Sequence, residues 1–190
     1  MTPATVVLDA NVLYSAPVRD LLMQFAFVGL YRARWSVDIE NEWARNLLAD
    51  RPDLATRIPA IQARMREAVL DALVTGYEPL IASIVLPDPN DRHVVAAAIA
   101  GEADAIVTYN LKDFPAVALA PHGIEAMHPD QFLRSYIVET PGQFLDGVRA
   151  CLRRLGDPPI SAAGYLATMR RVGLTDTAAF LERNCEGWQR

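Results

Sequence analysis

Four acidic residues stand where the chain leaves a buried strand or enters a helix, and together they could bind a ligand. Asp9 follows the apolar run Thr5–Leu8, and Asp113 follows a second apolar run. Asp91 lies in the first turn of a predicted helix, and Glu42 lies on another helix, beside an apolar stripe. Because ligands of open α/β sheets bind at the carboxyl ends of the strands, we expect these carboxylates to converge there.

A divalent cation would make such a cluster stable. Carboxylates that are held close together repel one another and raise at least one pKa, unless a cation neutralises them. Oxygen ligands without Cys or His favour Mg²⁺ or Mn²⁺. Such an ion can activate water and neutralise the charge of a phosphodiester during in-line attack. Asn11 and Asn110 precede or follow these acids closely and could hold them, or a water, by hydrogen bonds.

Each acid also has a purely structural interpretation. Asp9 could cap the helix that follows it, and Glu42 could face solvent. Asp88 is followed by Pro89, which favours a helix cap over a metal ligand, so we include Asp88 only as a supporting residue. Asp91 could be the far half of a capping box. The residues alone leave these alternatives open, and the recurrence of acids at strand ends favours the site.

Strands and helices alternate through residue 128, which predicts an α/β fold with a central parallel sheet flanked by helices. The strands carry β-branched and aliphatic residues without polar alternation, as expected when both faces of a sheet are covered. The predicted strands cover residues 5–8, 31–35, 103–108 and 124–127.

Helical periodicity is clear between these strands. The predicted helices cover residues 13–28, 37–50, 53–72 and 94–100, and an extended segment is predicted over 77–86. Ser36 is the expected N-cap of the second helix, on which Ile39 and Trp43 face the core. We expect Glu40 on the same helix to face solvent or to interact with the helix N-terminus, and Arg66 to lie on a solvated face of the third helix.

The character of the chain changes at Pro141. Three amphipathic helices follow, the first broken by the residues Gly156-Asp157-Pro158-Pro159 and the second beginning at Ser161. This tail carries seven arginines against five acids, whereas the whole chain has a net charge of -5. We predict a domain over residues 1–139 and an all-helical extension over 140–190 that packs on the domain or binds a partner.

Composition limits the location and the partners. The chain of 190 residues is 52% hydrophobic, which is ample for a packed core. It has no apolar run long enough to span a bilayer and no secretory signal, so we expect a cytoplasmic protein without a membrane partner. Cys151 and Cys185 fit reduced thiols, and the three histidines form no zinc pattern. The net charge does not exclude nucleic acid, because a bound cation would offset the acidic cluster.

Four stretches of the chain resemble the PIN-domain ribonucleases, and among them the VapC-type toxins of bacterial toxin–antitoxin pairs. The resemblance covers about residues 5–135. Each stretch is a weak signal singly, but their order and spacing are specific. They are Leu8-Asp9-Ala10-Asn11-Val12-Leu13, Glu42-Trp43, Asp91-Arg92-His93-Val94-Val95-Ala96-Ala97-Ala98 and Thr108-Tyr109-Asn110-Leu111-Lys112-Asp113-Phe114.

The resemblance implies a metal-dependent endoribonuclease with Asp9, Glu42, Asp91 and Asp113 as its acids. Many relatives carry an acid at the place of Asn110, so either that position or Asp113 completes the site. The resemblance also implies Mg²⁺ or Mn²⁺ as cofactor, an RNA substrate, a small cognate antitoxin as partner and a homodimer. The helical tail looks like the extension of one subgroup of these toxins.

Two other functions are compatible with the residues. A phosphatase with Asp9 as nucleophile would need a second acid two residues later, and Asn11 stands there. A metal-stabilised module that binds RNA or a protein without cleaving it would keep the same acids. The complete set of acids favours the nuclease over both.

Overall fold

Five parallel strands form a single sheet in the computed structural model, which describes residues 3–155 and 160–184. The order across the sheet is β3-β2-β1-β4-β5. The strands are β1 (Thr5–Leu8), β2 (Arg32–Ser36), β3 (Leu73–Val74), β4 (Ala105–Val107) and β5 (Glu125–Met127). Helices cover both faces of the sheet, so the predicted α/β class with a helical C-terminal region is confirmed.

The central position belongs to β1, whose Val7 pairs with Arg34 of β2 on one side and Ile106 of β4 on the other. Every residue of β1 is buried. An unbroken run of β-branched and aliphatic side chains suits such a strand, because both of its faces meet apolar side chains. The ends of β1 and β4 therefore lie side by side at the carboxyl rim of the sheet.

Ten α-helices occur in the described part of the chain. They are α1 (Ala10–Tyr14), α2 (Ala16–Phe27), α3 (Val37–Asp50), α4 (Ile58–Ala68), α5 (Arg92–Ala100), α6 (Ala116–Leu119), α7 (Pro129–Glu139), α8 (Pro141–Arg154), α9 (Ala162–Arg171) and α10 (Thr175–Arg183). Short 3₁₀ turns cover Pro52–Leu54, Glu78–Ser83, Pro89–Asp91, Leu111–Asp113 and Ala120–His122.

The single helix predicted over 13–28 is two helices, with the break at Ser15. Pro17 lies in the first turn of α2 and has no N–H to donate to the carbonyl of Leu13, four residues earlier. The buried guanidinium of Arg19 donates to that carbonyl instead, at 2.5 Å. Arg19 also stacks on the ring of Trp43, 5.1 Å from its centroid, and so joins α2 to α3.

Two further predictions in the first half of the chain were wrong. The helix predicted over 53–72 is a 3₁₀ turn followed by α4, which begins at Ile58 and has Pro59 in its first turn. The segment predicted as extended, 77–86, contains the 3₁₀ helix Glu78–Ser83 with Pro79 near its start. The strand of this region is instead β3, which pairs with Trp35 and Ser36 of β2.

Ser36 caps α3 as predicted, because its hydroxyl accepts from the N–H of Ile39 at 3.2 Å. Glu40 lies in the first turn of α3, as one of the two predicted alternatives has it, but it does not face solvent, because it is fully buried. Glu40 accepts from the indole N–H of Trp35 at 2.7 Å and forms an ion pair with the guanidinium of Arg66. Arg66 is therefore not a freely solvated residue but an ion-pair partner that connects α4 to α3.

The C-terminal helices pack on the sheet domain. Gly147 of α8 lies against the ring of Phe25 on α2, and Phe25 also meets Phe144 with ring centroids 4.8 Å apart. The carboxylate of Asp130 on α7 accepts hydrogen bonds from the backbone N–H groups of Asp176 and Thr177, in the first turn of α10. The break predicted at residues 156–159 and the thiol predicted at Cys185 lie outside the described residues.

Cys151 is a buried free thiol, and burial raises its pKa to about 11.

Over residues 3–155 and 160–184, no helix combines the length and the apolar character that crossing a membrane requires.

Candidate active site

Asp9 ends β1 and is nearly fully buried, with 4% of its surface exposed. One carboxylate oxygen accepts from the N–H of Ala10 at 2.6 Å, so Asp9 is a helix cap. The other oxygen accepts from the hydroxyl of Thr108 at 2.7 Å and from the amide of Asn11 at 2.5 Å. Because Thr108 follows the neighbouring strand β4, the carboxylate bridges two strand ends, and the capping role does not exclude a role in the site.

Asn11 has a fixed orientation. Its side-chain oxygen accepts from the backbone N–H of Tyr109 at 3.1 Å, and its amide nitrogen donates to Asp9 and to Thr108. These three contacts determine which end of the amide faces the carboxylate. Asn11 therefore ties the first helix to the loop that follows β4.

The loop after β4 brings Asn110 and Asp113 to the same rim. The backbone N–H of Asn110 donates to the hydroxyl of Thr108 at 3.0 Å, and its side-chain amide donates to the carboxylate of Asp113. Phe114, buried with 2% exposed, anchors the end of the loop in the core. Asn110 and Asp113 thus contact each other, and both positions that could complete the acidic site lie together.

Asp88 and Asp91 come from the turn that precedes α5. Asp88 caps this turn, since its carboxylate accepts from the N–H of Asn90 at 2.9 Å, as predicted. Asp91 ends the turn, and its Oδ2 is buried without a hydrogen-bond partner. Burial raises the pKa of Asp91 to about 6, and the charges of other carboxylates add to this effect. The contributing carboxylates are Asp9, Asp88, Asp113 and Glu42.

The pKa of Asp9 is also raised to about 6. Burial is the main cause, the hydrogen bond from Thr108 opposes it, and the charge of Glu42 adds to it. Asp9 and Asp91 thus resist ionisation for the same physical reasons, which are desolvation and neighbouring negative charge. All four acids predicted from the sequence are near enough to interact through their charges.

His93 is a site residue that the sequence did not indicate. It lies in the first turn of α5, as predicted, but its Nε2 is 3.2 Å from Oε2 of Glu42 on α3. Burial alone would lower the pKa of His93, and the hydrogen bond and charge of Glu42 reverse this and raise it. The spacing of a histidine two residues after Asp91 carries no signal of this contact, because the partner comes from another helix.

Thr108 was also missed, since a threonine at the end of a strand is common in any parallel sheet. Its hydroxyl donates to Asp9 and accepts from Asn11 and from the N–H of Asn110. Thr108 is fully buried. A search of the sequence for hydroxyl residues directly after predicted strands could have found it.

The donor chemistry of the site fits a hard cation. Within the part of the chain that the structure describes, no three His, Cys, Asp or Glu side chains form a group that could hold a metal ion as they stand. However, Oδ2 of Asp91 is buried without a hydrogen-bond partner, and the pKa values of Asp9 and Asp91 are both raised to about 6, mainly by burial and in part by the charges of neighbouring carboxylates. Carboxylate oxygens of this kind suit Mg²⁺ or Mn²⁺.

Comparison with known proteins defines the class. Residues 5–112 match the family described as PIN domain, which covers more than half of the chain, and the chain therefore belongs to the PIN-domain family. Residues 129–183 match a second family, described as VapC50 C-terminal domain. The predicted resemblance to VapC-type PIN proteins with a helical extension is confirmed.

One relative is a protein of Mycobacterium tuberculosis (strain H37Rv) with the name "Putative ribonuclease VapC50". It is 52% identical over 62 residues, which make up 33% of this chain and 36% of that protein. The match therefore spans about a third of the relative's length. No solved structure matches the chain.

Proposed function

We propose that the chain is a metal-dependent endoribonuclease that hydrolyses RNA phosphodiester bonds. Its catalytic residues and metal ligands would be Asp9, Glu42, Asp91 and Asp113. The observation that carries the proposal is that these acids lie within electrostatic reach of Asp91 in a PIN domain, while a buried oxygen of Asp91 has no partner. The name of the M. tuberculosis relative supports the reaction class.

The protein side chains would orient the acids. Thr108 and Asn11 hold one oxygen of Asp9 in place. Asn110 holds Asp113, and His93 holds Glu42 through Oε2. The residues that would support the acids are Asn11, Asn110 and Asp88. Asp88 would do so by capping the turn that carries Asp91. Bound Mg²⁺ or Mn²⁺ would lower the pKa of a water molecule and neutralise charge on the phosphate.

The biological role would be that of the toxin in a type II toxin–antitoxin pair. In this proposal the enzyme acts on RNA in the cytoplasm, a cognate antitoxin inhibits it, and it forms a homodimer. The match of residues 129–183 to the VapC50 C-terminal domain supports the toxin role. The antitoxin and the homodimer are inferred from the resemblance, and the location is inferred from the composition of the sequence.

The test is RNA cleavage by the Asp9→Asn variant. With Mg²⁺ or Mn²⁺ we expect the parent to cut single-stranded RNA and EDTA to abolish cutting, while Asp9→Asn lowers the rate at least ~100-fold because the charge of a ligand is lost. Asp104→Asn is the matched control, since Asp104 precedes β4 at the opposite rim, where it accepts from the N–H of Thr5 at 2.8 Å. Circular dichroism of both variants checks that the fold is kept.

Two results would contradict parts of the proposal. Cleavage by Asp9→Asn at the rate of the parent would remove Asp9 from the site, although the protein would still be a nuclease. A parent that binds Mn²⁺ and RNA in titrations but leaves the RNA intact would indicate the alternative function, a binding module without catalysis.

A further inference from the structure

Tyr109 connects the acidic rim to the C-terminal helices. It stands between Thr108 and Asn110, and its backbone N–H donates to the side chain of Asn11 at 3.1 Å. Its side chain runs in the other direction, and the hydroxyl donates to the carbonyl of Val172 at 2.6 Å. One residue thus contacts both the network around Asp9 and the turn that joins α9 to α10.

The turn at the far end of Tyr109 contains a conformationally special residue, Gly173, that lies beside the Tyr109 ring. Gly173 has a φ of +82°, a left-handed conformation that residues with a Cβ adopt at a cost. A Cβ at Gly173 would lie 3.4 Å from Cε1 of Tyr109. The ring of His128, which follows β5, packs edge-on against the Tyr109 ring with centroids 5.0 Å apart. Tyr109 is therefore enclosed by the rim on one side and the α9–α10 turn on the other.

The turn itself is anchored to the sheet domain by Asp130. The carboxylate of Asp130 accepts from the N–H groups of Asp176 and Thr177 at 2.7 and 2.9 Å, and from the hydroxyl of Thr177 at 2.6 Å. Asp130 is buried, with 6% exposed, and Leu174 between the two helices is fully buried. A buried carboxylate with four donors, the fourth being the hydroxyl of Thr175 at 3.4 Å, holds the start of α10 firmly. The carbonyl of Val172 is consequently a fixed acceptor for Tyr109.

We propose that Tyr109 is a positioning residue through which the C-terminal helices hold the loop of residues 108–113, and with it Asn11 and Asp113, in the geometry that the site requires. The inference rests on the proposed nuclease function for its catalytic consequence. The hydroxyl of Tyr109 donates to Val172 rather than to an acid of the site, so its effect would be exerted through Asn11 and the loop. Burial raises the pKa of Tyr109 to about 12, and the hydroxyl therefore stays a donor at neutral pH.

The variant Tyr109→Phe removes the hydroxyl and keeps the ring. In metal-free protein we expect faster amide hydrogen exchange over residues 108–113, because the loop loses its fixed partner. We expect Mn²⁺ affinity, measured by electron paramagnetic resonance, to fall ~10-fold, as for other outer residues that orient ligands. In RNA cleavage we expect kcat to fall while KM stays within twofold, since the hydroxyl is bound to the carbonyl of Val172 and the variant changes the loop rather than a group offered to RNA.

Tyr31→Phe is the matched control. Tyr31 is more deeply buried than Tyr109, its hydroxyl also donates to a backbone carbonyl, that of Leu22 at 3.0 Å, and it lies next to the amino end of β2. Its loss should lower the unfolding midpoint without changing exchange over 108–113 or Mn²⁺ affinity. Gly173→Ala disturbs the contact from the C-terminal side and should reproduce the changes of Tyr109→Phe, with little further effect when the two variants are combined.

Unchanged exchange over 108–113 together with unchanged Mn²⁺ affinity in Tyr109→Phe would overturn the proposal. Equal effects in Tyr31→Phe would also overturn it, because they would reduce Tyr109 to a general contributor to stability. A parent that fails to cut RNA would refute the nuclease but not this inference, which the exchange and Mn²⁺ measurements decide separately.

Discussion

Asp91 combines two features that are unfavourable in the metal-free protein. Its Oδ2 is the one carboxylate oxygen among the buried side-chain atoms without a partner in the described ranges. Its charge also interacts unfavourably with Asp9, Asp88, Asp113 and Glu42. A side chain in such surroundings reduces stability when it is ionised, which is a cost that proteins accept at functional sites.

The variant Asp91→Asn should therefore stabilise the metal-free protein at pH 7.5. The folded-state pKa of Asp91 is raised from 3.8 to about 6. Relative to the ionised form, the protonated carboxyl therefore favours the folded state, and this contribution to the free energy of unfolding is complete below pH 3.8 and is lost as the pH rises through 6. After allowance for solvent screening, we expect a gain of about 1–2 kcal/mol at pH 7.5 and much less at pH 4.5. Urea unfolding of the parent and the variant in EDTA at the two pH values measures this difference in the free energy of unfolding.

Addition of Mg²⁺ should reverse the order of the two proteins at pH 7.5. An ion that binds only the folded state stabilises it, and the parent with all its carboxylates should gain more than Asp91→Asn. A variant that is less stable than the parent in EDTA at pH 7.5 would contradict the assignment of unneutralised charge to Asp91.

The acids of the candidate site were predicted from the sequence because most of their positions are local features. Asp9 and Asp113 follow apolar runs, and Asp91 follows the Asp88-Pro89 signal of a helix start. The contact between His93 and Glu42 could not be found, because it depends on how α5 packs against α3. Sequence spacing reports the direction of a side chain within one element but not the element that it meets.

At the scale of the elements, Glu40 and Arg66 connect α3 to α4. The carboxylate of Glu40 is fully buried and accepts from the guanidinium of Arg66 and the indole of Trp35. The Arg66 side chain is 47% exposed, so the pair lies at the edge of the core. A buried charge of this kind is tolerated because donors surround it.

Arg66→Ala should lower the free energy of unfolding by about 2 kcal/mol, because it leaves the carboxylate buried with one donor fewer. Glu40→Gln in the Arg66→Ala background should recover part of this loss, since the amide carries no charge. Arg51→Ala is the control: its pair with Asp53 is exposed, and the unfolding midpoint should not move. Equal midpoints for Arg66→Ala and Arg51→Ala in urea would refute this account of α4.

The elements that could be predicted are those with complete local signals. β1 is a buried apolar run, and α3 has a capping serine and a periodic apolar face. β3 has two residues, which is too short for any periodicity to appear, so the extended segment was placed wrongly. Glu40 was assigned to solvent or the helix N-terminus because its partner Arg66 lies 26 residues later, where no local pattern records it.

At the scale of the molecule, the C-terminal region docks through α8 on α2. The close approach needs a residue without a side chain at position 147, because a Cβ there would overlap the ring of Phe25. The rings of Phe25 and Phe144 lie beside this contact and are both fully buried. The docking surface therefore has the packing density of a core.

Gly147→Ala should lower the free energy of unfolding by about 2 kcal/mol, as expected for overpacking at a rigid contact. Gly142→Ala on the same helix is the matched control, since no atom lies within 4 Å of the position of its Cβ. That change should stabilise the protein by up to about 1 kcal/mol through helix propensity. The midpoints of thermal unfolding of the two variants and the parent measure these changes. A Gly147→Ala variant with a higher midpoint than the parent would contradict the tight contact.

The order of the strands was beyond the reach of the sequence. Parallel alternation predicts a sheet, but it does not state that β4 lies next to β1 rather than at an edge. That neighbourhood puts Thr108 against Asp9 and creates the network that supports the site. The proposed chemistry was predicted from residue types, and the arrangement of those residues required the sheet.

The position of Asp130 has a practical consequence for the design of expression fragments. α7, which carries it, also contributes Phe132 to the core, where its ring packs edge-on against Tyr31 with centroids 4.9 Å apart. A cut between residues 139 and 140, the boundary predicted from the sequence, would deprive the downstream piece of the carboxylate that secures α10. A cut before Pro129 would remove Phe132 from the upstream piece and leave a cavity beside Tyr31. Because α7 makes contacts with both the upstream and the downstream piece, neither piece keeps all of its contacts after such a cut. Biochemical work should therefore use a polypeptide that contains both.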